Sequence, residues 1–182
     1  VVNPKNYQKL AGYGVVAALG LLFKATVVLG EKISETSLYQ YFADEFKTGG
    51  YDGNKISKTV YELKLSGYII LEGDSVKLTN KAKMKIVDQI AAKSSKDKKY
   101  HLVSFDIPEV YKIRRNNFRR VIKRMGFVQI QKSLWVTVRE IGDLVETAAK
   151  EYKVSDYVAY FVSESSNIDK YIFRVIKQAN KN

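Results

Sequence analysis

Apolar residues recur with two different periods along this chain, and the change between them divides it. Up to about residue 92 the spacing is mostly helical, broken by one short alternating stretch. After about residue 100, alternating and helical runs take turns. The first half therefore reads helix, helix, helix, hairpin, helix. A first helix lies within Tyr7–Leu29. A second begins near Ser34, where Ser34 or Thr36 can cap it, and carries Leu38, Tyr41, Phe42 and Phe46 at helical spacing. Thr48-Gly49-Gly50 breaks the pattern. A third helix runs from about Lys55 to Ser66, with Ile56, Val60 and Leu63 on one face and Gly67 as its left-handed stop. Tyr68–Leu71 and Val76–Leu78 form a hairpin around Glu72-Gly73-Asp74-Ser75. A further helix follows from about Lys81 to Ala92, capped by Thr79 or Asn80.

Helix, turn, helix and a short hairpin is the order of a winged helix-turn-helix. In it the third helix is the recognition element. Lys55, Lys58, Thr59 and Glu62 point away from its apolar face at 3.6 residues per turn, so they are the groove-facing candidates. The hairpin tip argues for a secondary role of the wing. Glu72 and Asp74 flank Gly73 with only Lys77 nearby, and carboxylates are unfavourable against phosphates.

The second half alternates strand and helix: β over His101–Ile107, α over Tyr111–Met125, β over Phe127–Gln131, β over Leu134–Val138, α over Ile141–Tyr152 and β over Tyr157–Val162. That βαββαβ order predicts a ferredoxin-like antiparallel sheet with two helices on one face. An amphipathic helix, Ile168–Ala179, is added at the end through Ile168, Ile172, Val175 and Ile176. The fold class is thus α+β, a winged helix-turn-helix followed by a ferredoxin-like domain and a C-terminal helix. Ala91–Lys99 (AAKSSKDKK), polar and without large apolar residues, separates the halves as domains 1–93 and 100–182.

Charge adds a partner to this picture. Lys and Arg number 31 against 19 Asp and Glu, a net charge of +12, which favours a polyanion and nucleic acid before a membrane surface. Hydrophobic residues at 46% provide for folded cores and argue against a disordered basic tail. Without cysteine there is neither a disulfide framework nor a thiolate metal site, which fits a cytoplasmic location. One histidine excludes His-cluster metal sites. Gly12–Gly30 is apolar except for Lys24 and small residues, and reads as a buried helix of the small helical domain rather than a membrane span.

The helix after Pro108 concentrates the cations. Lys112, Arg115, Asn116, Arg119 and Lys123 share about a third of its circumference, while Phe118, Val121, Ile122 and Met125 face the sheet. No acidic residue lies between Lys112 and Arg124 to relieve the stripe. A nucleic-acid contact, a solvated basic face and a subunit interface all accommodate it. Arg114 projects to the apolar side and is expected to pair with Asp106 or Glu109. Asp106, at a strand end, either caps the turn before the helix or, as a catalytic candidate, helps to hold a divalent metal such as Mg²⁺. His101 reads as an ordinary half-exposed side chain, and Trp135 as packed in the sheet or at a dimer seam.

The whole chain resembles the PaaX family of bacterial transcriptional repressors. The resemblance is most specific from Phe105 to Trp135, through FDIPE, RRNNFRR, MGF and QKSLW. The same module is similar to the small CRISPR-associated adaptation endonuclease, which shares the βαββαβ fold, the strand-ending Asp and a Gln-x-Ser-aliphatic-aromatic strand. The first resemblance implies a homodimer that binds duplex DNA at promoter operators through the winged helix. The second implies an adaptation subunit that binds duplex DNA and an integrase, with metal-dependent nuclease chemistry at the position of Asp106. The chain departs from the adaptation family in carrying a winged helix.

Overall fold

The computed structural model describes residues 10–29, 33–46 and 53–179, with side chains at 10–14, 45–46 and 53–56 left aside. The predicted breaker at Thr48–Gly50 and the residues before Leu10 lie outside that description, as do the side chains of Phe46, Lys55 and Ile56. The chain forms two compact units, Val1–Ile86 and Val87–Asn182.

In the first unit, α1 (Leu10–Leu29), α2 (Glu35–Phe46) and α3 (Gly53–Leu65) enclose Ala18, Leu19, Leu22, Leu38, Phe42, Val60 and Leu63. Ser34 caps α2, its hydroxyl accepting from the Ser37 amide at 3.1 Å. Gly67, at φ +68°, ends α3 as expected. Its amide donates to the Lys64 carbonyl, and the Tyr68 amide donates to that of Leu63. The hairpin is β2 (Ile69–Glu72) and β3 (Ser75–Leu78), turned at Gly73 with φ +59°. A two-residue strand, β1 (Ile33–Ser34), pairs with β3 and completes the three-stranded order β1-β3-β2. This is the winged helix-turn-helix.

The single helix expected over Lys81–Ala92 is two, α4 (Asn80–Lys85) and α5 (Val87–Ala92). Thr79 caps α4, accepting from the Ala82 amide at 3.2 Å. The break falls at Ile86, at φ −115° and ψ 26°. Ala82, Met84, Ile86 and Val87 are all buried, and residues two apart lie about 200° around a helix, so one straight helix cannot bury them all on one side.

In the second unit, β4 (Lys96–Phe105), β5 (Val128–Gln131), β6 (Leu134–Arg139) and β7 (Val158–Ser163) form an antiparallel sheet in the order β5-β6-β4-β7. With α6 (Lys112–Arg124) and α7 (Gly142–Glu151) as its crossovers, this is the ferredoxin-like arrangement. Val103, Phe105, Phe118, Val121, Ile122, Trp135, Val145 and Ala148 are all buried. Phe105 meets Phe118 edge-on at 5.2 Å and stacks on Trp135 at 6.4 Å, so Trp135 packs within the sheet's own core. The C-terminal helix, α8 (Asp169–Ala179), lays Ile172 with Ile168, Val175 and Ile176 over Leu102, Ile130 and Val136. A sheet left bare on that side would expose these residues, so the sheet carries a helix on each face.

The stretch whose composition suggests a linker carries the end of α5 and the start of β4. It is fastened to the second unit. The Arg139 guanidinium donates to the Ala91 carbonyl at 2.9 Å, the Glu140 amide to the Ser95 carbonyl at 3.0 Å, and the Ser95 hydroxyl to the Glu140 carboxylate at 2.9 Å. Arg124 pairs with Asp88 of α5 at 2.5 Å.

Candidate nucleic-acid interface

α3 supplies the first group of side chains. Lys58 is exposed on the side of the helix opposite Val60 and Leu63, as the spacing requires, and Glu62 is exposed beside it. Thr59 is half-buried on the flank. Lys55 lies in α3, though its side chain is outside the described residues. The pattern reading missed two neighbours. Tyr61 (64% exposed) and Leu65 (75%) stand on the same outer side as Lys58, at intervals of three and seven residues. Their apolar character hid them, because apolar positions on a helix are ordinarily assigned to the core.

The wing is acidic at its tip, as read. The Lys77 ammonium is paired with the Glu72 carboxylate across the hairpin, so the one nearby cation is used within the wing and Asp74 remains at the tip. At the base, Lys81 donates to the Ser66 carbonyl at 2.9 Å and lies over the Tyr68 ring at 4.9 Å, bracing the end of α3 against the hairpin.

On α6 the basic stripe needs correcting. A 3₁₀ turn over Glu109–Tyr111 precedes the helix and places Glu109 against its first turn. Arg115, not Arg114, makes the carboxylate pair. Its guanidinium reaches Glu109 at 2.6 Å and donates to the Ile107 carbonyl at 3.3 Å, tying the turn after β4 to the helix. That hydrogen bond and charge, with Lys112 adding to them, hold the Glu109 carboxyl below its ordinary range. Arg114 is exposed and lies over the Tyr111 ring at 4.8 Å, while Tyr111 in turn meets Tyr157 at 5.9 Å. Lys112 also reaches Glu109, at 3.7 Å. No acid lies within Lys112–Arg124, but Glu109, just before the helix, serves two of the stripe's cations. Arg119 and Lys123 remain exposed, with no ion-pair partner among the described residues.

Asp106 lies just past β4, its amide donating to the Tyr157 carbonyl at 3.1 Å and its side chain exposed. No group of three or more His, Cys, Asp or Glu side chains capable of holding a metal occurs among the described residues. A lone exposed carboxylate offers one ligand of a Mg²⁺ site, and the others would have to come from substrate phosphates or a second chain.

His101 is the largest surprise. It is 2% exposed rather than half-exposed, because it sits on the central strand facing the α7 side. Nδ1 lies 2.5 Å from the Tyr160 hydroxyl of β7, and Nε2 lies 3.6 Å from the Asp97 carboxylate. A proton on Nε2 suits both neighbours: it faces the carboxylate, and Nδ1 accepts the Tyr160 hydroxyl hydrogen. Burial foremost, and then the charges of Glu140, Asp143 and Asp97, push the Tyr160 phenol up. Of these three side chains His101 is buried, and Tyr160 and Asp97 are half-buried beside it.

No helix among the described residues is long and apolar enough to cross a membrane. Neither the curated proteins nor the solved structures contain a match to the chain. A family model does match. Residues 93–171, spanning β4 to the start of α8, fit the PaaX protein central Cas2-like domain. That segment of the second unit is similar to the central Cas2-like domain of PaaX proteins, and a winged helix-turn-helix precedes it in the chain.

Proposed function

We propose that the protein is a DNA-binding transcriptional regulator, a repressor of the PaaX kind, which reads duplex DNA with α3 as a homodimer. The observation that carries this reading is the outer face of α3. In a winged helix-turn-helix the third helix enters the major groove, and here that helix keeps the side opposite its core in solvent with Lys58 on it. The excess of 12 positive charges supports a polyanionic partner. Arg119 and Lys123, exposed on α6 with no ion-pair partner among the described residues, are suited to phosphate contacts that position rather than specify. The acidic wing tip favours a mode in which α3 does the reading.

Two chains would pair through their second units. α8 covers one sheet face and α6 and α7 cover the other, so contact falls to the β7 edge and the outside of α8. Phe161, Tyr171 and Phe173 stay exposed there. The test is fluorescence anisotropy with promoter duplex across a salt series. Lys58→Ala should weaken binding and flatten the salt dependence by about one unit of log–log slope. Unchanged affinity and slope would remove α3 from the interface.

A second reading, an adaptation-type subunit binding duplex DNA and an integrase, is favoured by the Cas2-like match and by the exposed Asp106 at a strand end. Nuclease chemistry in that reading needs a metal ligand from outside this chain, such as the second Asp106 of a dimer. Mg²⁺-dependent cleavage of duplex DNA that disappears in Asp106→Asn would support it. Absence of cleavage, together with no association with an integrase, would dismiss it.

A further inference from the structure

We infer that Tyr61 and Leu65 form an apolar strip on α3 that reads thymine methyl groups on the floor of the major groove. The inference deepens the DNA-binding reading above and rests on it. At 100° per residue, Lys58, Leu65 and Tyr61 fall within about 60° of one another, on the side of α3 opposite Val60 and Leu63. A single exposed leucine would call for no explanation. Here two large apolar side chains, 64% and 75% exposed, occupy adjacent turns of one stripe on the element that a winged helix inserts into DNA.

Charge says what covers them. Lys58 borders the strip on one side and Lys64 on the other, both exposed. A major groove presents the same order to a helix: phosphate rails at both margins and base edges between them. The apolar feature on those edges is the C5-methyl of thymine. An apolar strip between two cations therefore complements a groove floor carrying methyl groups. Glu62 is placed beyond Lys58, where a carboxylate is tolerated by accepting from a cytosine amino group.

The experiment uses the full chain and a duplex selected by it from a random-sequence library. Each thymine of that duplex is replaced in turn by deoxyuridine, which removes one methyl group and no hydrogen-bonding atom. For the parent protein, at least one replacement should weaken binding about fourfold, the value of one buried methyl group. In Tyr61→Ala/Leu65→Ala the same replacement should cost nothing. Both residues are exposed, so the variant should keep its fold, which circular dichroism checks.

Equal binding of thymine and deoxyuridine duplexes by the parent at every position would overturn the inference. So would undiminished methyl sensitivity in the double variant, and either result would leave DNA binding itself intact. Failure of the parent to bind any duplex at low salt would instead remove the DNA reading, and the strip's role with it.

Discussion

Substituting Gly142 tests how tightly the second unit is assembled around its buried histidine. Gly142 opens α7. A Cβ placed on it would stand 2.8 Å from Tyr160 Cε1, closer than Cβ contacts come, and 3.0 Å from Cζ and 3.1 Å from the hydroxyl oxygen, which are tight. An exposed tyrosine would swing aside at little cost. Tyr160 is held from the other side, because its hydroxyl meets His101 Nδ1 at 2.5 Å and His101 is buried. Gly142→Ala must therefore either compress this packing or break that hydrogen bond.

Overpacking of a filled core costs about 1–3 kcal/mol, and a buried hydrogen bond contributes about 0.5–1.5 kcal/mol. Alanine returns up to about 1 kcal/mol by its better helical propensity. The net loss should lie between about 0 and 3 kcal/mol, or up to roughly 12 °C in melting temperature for a chain of this size. Urea unfolding of the full chain measures it. Repeating the substitution in Tyr160→Leu, where the ring is gone, should render it neutral or mildly stabilising. An equal effect in both backgrounds would refute the reasoning, because the cost would then not depend on the Tyr160 ring.

Acid should weaken the turn after β4. The Glu109 carboxyl is held low by Arg115, so its contribution is fully present above the ordinary glutamate range and is lost as pH falls through the lowered folded value. Glu109→Gln should flatten the acid limb of a stability–pH curve measured by denaturant unfolding. The cations of α6 should separate by role. Arg119→Ala and Lys123→Ala should each reduce the salt slope of duplex binding by about 0.9 while leaving the melting temperature unchanged. Arg115→Ala should lower the melting temperature by releasing the Ile107 carbonyl and Glu109, with the salt slope preserved.

The elements were legible where local chemistry decides them. Gly67 was well placed as a helix stop because a left-handed residue without a Cβ suits the step into the hairpin, and of the two cap candidates Thr79 and Asn80 ahead of α4 it is Thr79 that accepts. The order βαββαβ followed from changing periods. What stayed hidden depended on phase or on distant partners. The exchange of Arg114 for Arg115 turns on the 3₁₀ turn, which carries Glu109 to the first turn of α6, and no spacing rule announces that turn. His101 could be placed on a strand from sequence, but its burial required knowing that β4 is central and that Tyr160 and Asp97 close over it. Tyr61 and Leu65 were hidden by the rule that sorts apolar helix positions inward.

The clasp of Arg139, Ser95 and Glu140 on the lysine-rich stretch has a practical corollary for anyone wishing to dissect the chain. A cut at 93 or 100, the place that composition recommends, would sever α5 from the sheet and trim the leading residues of a ten-residue strand. The fragment would begin with its guanidinium clamp empty and Arg124 deprived of Asp88. Scissors belong at Ile86, where the backbone itself steps out of helix and the first unit ends.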